Sequence, residues 1–78
     1  GEAVMDDKMF ILTLLHSLAA VTVDKARSPE EIVKYSRLAV DKVVKLLQDL
    51  EAEGYVIKFQ DRYYLTATGS IKVASMFS

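Results

Sequence analysis

Ile32–Val56 reads IVKYSRLAVDKVVKLLQDLEAEGYV, an apolar spacing that breaks once, at Leu38-Ala39, and stops at Gly54. Just upstream, Ser28-Pro29-Glu30-Glu31 offers a serine to cap a helix, a proline for its first position and a glutamate three residues after the serine. That is the pattern of a capping box, and it predicts a helix over about 29–36 with Ile32 and Ser36 facing inward. A further helix is expected over about 40–53, with Gly54 ending it in the left-handed conformation. At about 100° per residue, Val43, Leu46, Leu47 and Leu50 fall on one narrow face of this helix. Asp41, Val44, Lys45, Gln48 and Ala52 occupy the opposite face, flanked by Lys42 and Asp49. One side is therefore built for a core, and the other is presented to something else.

On the N-terminal side, Ile11, Leu14, Leu15 and Leu18 keep the spacing of one helical face and predict a first helix over about 6–20. Asp6 and Asp7 sit where negative charge favours its start. Val21-Thr22-Val23 weakens helix propensity, and the connection through Arg27 has room for a very short strand. After Gly54 the period changes. Tyr55–Phe59 and Tyr63–Thr66 are aromatic and β-branched, and Gln60-Asp61-Arg62 between them reads as a tight turn, so residues 55–66 are expected to form a β-hairpin. Thr66 can cap a last helix over about 67–77. The 78 residues have neither an internal repeat nor a low-complexity tract, so one domain over 1–78 is expected, α+β and mostly helical.

Composition removes several function classes. Without cysteine, and with a single histidine, the chain has neither a disulfide framework nor the ligand set of a typical metal site. No nucleophile–base constellation and no glycine-rich phosphate loop is evident, so neither an enzyme nor a cofactor is expected. No apolar run approaches the roughly 18 to 20 residues that cross a bilayer, and no basic segment precedes an apolar stretch at the N-terminus. A cytoplasmic protein without a membrane partner is the expectation.

The order helix, connection, helix, helix, hairpin, helix resembles the winged helix-turn-helix architecture. The stretch from Ile32 to Val56 is similar to the helix-turn-helix of MarR-type and ArsR-type bacterial and archaeal regulators. Its ending, Leu50-Glu51-Ala52-Glu53-Gly54 before Tyr55-Val56, matches their leucine-glutamate-x-x-glycine followed by an aliphatic pair. Leu65–Gly69, LTATG, resembles the leucine-threonine-x-x-glycine that closes a MarR-type wing into the next helix. The resemblance implies a three-helix core, a two-stranded wing and a C-terminal helix, with the third helix reading DNA as the recognition helix. The chain departs from the pattern in three places. Arg37 stands where the turn usually has glycine, Ala39 where the recognition helix usually opens with serine or threonine, and Asp49 where an arginine is common.

Charge supports the same direction. The whole chain has a formal net charge of −1, yet Ile32–Gln48 holds Lys34, Arg37, Lys42 and Lys45 against Asp41 alone. Lys58 and Arg62 add to these on the hairpin. Lysine and arginine supply the phosphate contacts that dominate affinity, while a helix in the groove reads bases. Lys42 and Lys45 suit phosphate or guanine, Gln48 adenine, Val44 a thymine methyl, and Arg62 phosphate or the minor groove. The competing account of these residues is an ordinary solvated helix face. A second stripe, Met5, Met9, Leu12, His16 and Ala19, runs along helix 1 with spacings of four, three, four and three. That is a coiled-coil seam, expected either to form a homodimer interface or to be covered by the C-terminal helix folding back. The leading expectation is a homodimeric transcription regulator binding double-stranded DNA. The alternative is a winged helix that docks onto protein in a larger assembly, which the acidic pI of about 5.7 also suits.

Overall fold

Asp6 opens α1 (Asp7–Ser17) by accepting the Met9 backbone N–H at 2.9 Å in the computed structural model, which describes residues 5–77. The helix ends three residues earlier than expected. Ala19 turns left-handed at φ 57°, and the Ala19 and Ala20 N–H groups donate back to the carbonyls of His16 and Leu15 at 3.0 and 2.9 Å. This paired closure is a Schellman motif, made here without glycine, and it carries Ala20 into the core. A single 3₁₀ turn over Val23–Lys25 follows. Arg27 and Tyr63 then exchange two backbone hydrogen bonds, at 2.9 and 2.8 Å, so the anticipated short strand is one bridge long.

The second helix, α2 (Pro29–Ser36), begins at the expected residue with both halves of its capping box made. The Glu31 N–H donates to Ser28 Oγ at 3.2 Å, and the Ser28 N–H donates to Glu31 Oε1 at 3.1 Å. Arg37 ends it at φ 61°, so arginine accepts the left-handed turn position where glycine is customary. Helix α3 (Val40–Ala52) starts at Ala39 with no side-chain cap. It closes in a second Schellman motif around Gly54 at φ 83°, with the Gly54 N–H on Glu51 O and the Tyr55 N–H on Leu50 O. Strands β1 (Val56–Phe59) and β2 (Arg62–Leu65) pair antiparallel. Phe59 faces Arg62, so the turn is two residues, Gln60-Asp61, and Arg62 belongs to the strand. The last helix, α4 (Ala67–Ser75), is capped by Thr66, whose hydroxyl accepts the Gly69 N–H at 2.9 Å.

Among the described residues, four helices and one hairpin thus make an α+β, mostly helical fold around one continuous apolar cluster. Val43, Leu47 and Leu50 of α3 are buried as their phase predicts, and Leu46 packs at the margin. α1 differs from expectation. Ile11, Leu12 and Leu15 are buried, whereas Leu14 and Leu18 are half-buried. The helix touches α2, α3, α4 and β2, so more than one of its faces is covered from within the same chain. The proposed interface stripe therefore needs correction. Leu12 is 0 % exposed, Met9 packs against the core, and Ala19 lies beyond the helix. Met5, His16 and Ala19 remain exposed, but only His16 lies within α1, so the three do not form a seam.

Candidate functional site

Helix α3 presents Asp41, Lys45 and Gln48 to solvent, because its other side is committed to the core. Val44, expected to be exposed, is half-buried on the flank. The Lys45 ammonium is 2.8 Å from Asp49 Oδ1, one helical turn on, and this hydrogen bond holds the Asp49 carboxyl below its ordinary range. Lys8, on α1, lowers it further. Asp49 thus sits between the outward face and α1 rather than squarely on the outward face. Lys42 reaches across to Asp7 of α1 at 2.8 Å. Beside it, Lys8 pairs with Glu53, which raises the pKa of Lys8. The N-terminal turn of α1 is fastened to α3 by two ion pairs, and Lys42 belongs to that fastening.

Lys34 on α2 and Arg37 at its end are exposed, as is Lys58 on β1. None of these three makes an ion pair among the described residues. Arg62 is different. Its guanidinium turns back from the hairpin to the start of α2, donating to Ala26 O at 3.1 Å and lying 3.3 Å from Glu31 Oε1. Arg27 approaches the other oxygen of the same carboxylate at 3.5 Å. The Glu31 carboxyl is held below its usual range, first by the Ser28 backbone N–H and then by the charges of Arg62 and Arg27.

The eight sequence-selected residues therefore divide. Lys45, Gln48, Lys34, Arg37 and Lys58 are on the surface, Lys42 and Arg62 are held by carboxylates from other elements, and Val44 is partly withdrawn. Three groups that set the electrostatics, Asp7, Arg27 and Glu31, were not among the candidates. The i,i+4 spacing of Arg27 and Glu31 was visible beforehand, but the arrival of Arg62 was not.

A thread of hydrogen bonds ties the hairpin to α3. The Thr66 hydroxyl donates to Gly54 O at 2.7 Å while accepting from Gly69, and the Thr66 N–H donates to Tyr55 O at 3.1 Å. The hairpin and the outward face of α3 consequently hold a fixed relation. A shallow groove of about 240 Å³ also opens between α1, the end of α3 and α4, with Leu12 and Leu50 in its floor and Lys8, Glu53 and Lys72 at its rim. Among the described residues no helix is long and apolar enough to cross a membrane, and no group of three or more acidic or histidine side chains is gathered to hold a metal. No protein-family model matches the chain, and a search of curated proteins returned no match.

Proposed function

We propose that the chain is a winged helix-turn-helix domain that binds double-stranded DNA as part of a transcription regulator, in the cytoplasm of a bacterial or archaeal cell. Helix α3 enters the major groove and the hairpin lies on the backbone or minor groove. The observation that carries this reading is the division of α3. It buries Val43, Leu47 and Leu50 and offers Lys45 and Gln48 on the other side, with Lys34 and Arg37, which make no ion pair among the described residues, on the helix and turn before it. Lysines and arginines around such a helix neutralise phosphates, and a glutamine on it can bond adenine through both its donor and its acceptor. A second copy completes a homodimer through α4, whose Ile71 is 69 % exposed, because Leu12 is unavailable.

Fluorescence anisotropy with a labelled duplex at two salt concentrations tests the proposal. Affinity falls by roughly 0.9 log units per log unit of salt for each phosphate contacted. Lys34→Ala flattens that slope by about one contact per subunit, and Gln48→Ala reduces discrimination between sequences instead. Absence of salt-sensitive binding at tens of micromolar protein, by the wild type and by Glu31→Gln alike, would end the DNA reading. A protein-docking domain would then lead, favoured by the carboxylates that neutralise Lys42, Lys45 and Arg62 and by Phe59 on the exposed side of the hairpin.

A further inference from the structure

Four donors converge on the Glu31 carboxylate. The Ser28 N–H and Ser28 Oγ lie 3.1 and 3.3 Å from Oε1, Arg62 Nη1 lies 3.3 Å from the same oxygen, and Arg27 Nη1 lies 3.5 Å from Oε2. The capping box fixes this carboxylate to the first turn of α2, so it does not follow the arginines when they move. The guanidinium of Arg62 is half exposed and sits next to a two-residue turn. A guanidinium pairs with a carboxylate or a phosphate through the same planar fork, and exposed pairs are weak enough to exchange.

We infer that Glu31 is an internal competitor for DNA phosphate, which holds Arg62, with Arg27 beside it, on the chain's own surface until a duplex displaces it. The inference rests on the DNA-binding reading above and adds to it a device against indiscriminate binding. Any duplex that recruits Arg62 must first break its contacts to Glu31 and Ala26. A duplex held only by phosphates gains less from that exchange than one already seated by base contacts on α3.

Glu31→Gln separates charge from capping, because glutamine also completes a capping box. Binding of a random-sequence duplex is measured at 50 and 200 mM salt for the wild type, Glu31→Gln, Glu30→Gln and the double variant Glu31→Gln/Arg62→Gln. Glu30 is the neighbouring exposed acid, without an ion pair among the described residues, and it controls for net charge. The expected result is that Glu31→Gln binds about threefold or more tighter at 50 mM salt and steepens the salt slope by about one phosphate contact, or 0.9. Glu30→Gln leaves the slope at the wild-type value, and the double variant loses the gain. In the unaltered protein the Arg62 Nε–H resonance shifts on addition of a duplex selected from random sequences for tight binding to the wild type, a readout independent of how Glu31→Gln folds. Duplex binding by Glu31→Gln where the wild type shows none supports the inference. Salt-sensitive wild-type binding with equal slopes for Glu31→Gln and Glu30→Gln, or an unmoved Arg62 resonance, overturns it while the DNA reading stands. Failure of both the wild type and Glu31→Gln to bind at low salt overturns both.

Discussion

Among the described residues four turn the backbone left-handed, and only Gly54 of these is glycine; Ala19, Arg37 and Gln60 carry a Cβ into the same region. A side chain costs about 1 to 2 kcal/mol there, which the surrounding structure offsets. Ala19→Gly is therefore expected to raise the unfolding free energy by about 1 kcal/mol in urea titration, and a fall would show that Ala19 is not held left-handed. Gly69 makes the opposite case. A Cβ on it would lie 2.1 Å from the Tyr55 carbonyl oxygen and 3.0 Å from Leu65 Cδ2. The oxygen is backbone and is already used by Thr66, so α4 would have to back away from the strand. Gly69→Ala should lower stability by about 3 kcal/mol, read from the same titration. The glycine of LTATG thus has a reason independent of any family likeness: it lets α4 close onto Tyr55, in the link between α3 and β1, and onto Leu65 of β2.

The elements were unequally legible beforehand. α2 and α3 could be placed to within a residue because their signals are local: Ser28-Pro29 before one, Gly54 after the other, and a single apolar phase in α3. The packing of Leu47 follows from that phase, and Leu47→Ala is expected to cost about 2 to 5 kcal/mol in thermal unfolding. α1 was harder, since Ile11, Leu12, Leu14, Leu15 and Leu18 leave no single apolar side. Which of them is buried depends on how α2, α3, α4 and β2 close around the helix, and spacing left cover by the C-terminal helix as one of two alternatives. Leu12→Glu accordingly buries an unpaired charge, and the expected outcome is loss of helical circular dichroism rather than a folded monomer. The candidate site divides along the same line. Lys45, Gln48 and even the Lys45–Asp49 pair follow from helical spacing, whereas Lys42–Asp7 and Arg62–Glu31 join elements far apart in sequence.

Across the whole molecule, the carboxyls of Glu31, Asp49 and Asp24 are all held below their ordinary range, by the Ser28 N–H, Lys45 and the Thr22 hydroxyl respectively. Each binds a proton less readily folded than unfolded, so its contribution is complete above the unfolded value, near 4 to 4.5, and fades as pH falls through the lower folded value. The melting temperature by calorimetry should stay level from pH 7 to about 5 and drop below about 4.5; a decline already under way at pH 6 would assign the loss to other groups. The packing of α1 against α4, with Thr13 donating to Met76 Sδ across 63 residues of chain, also has a consequence during synthesis. Leu12 leaves the ribosome before the residues of α4 that pack against its helix are made. At about 5 to 20 residues per second that interval is about 3 to 13 s. For those seconds the nascent chain carries an open apolar face that ribosome-associated chaperones can occupy, and its core closes only when Val73 has cleared the exit tunnel.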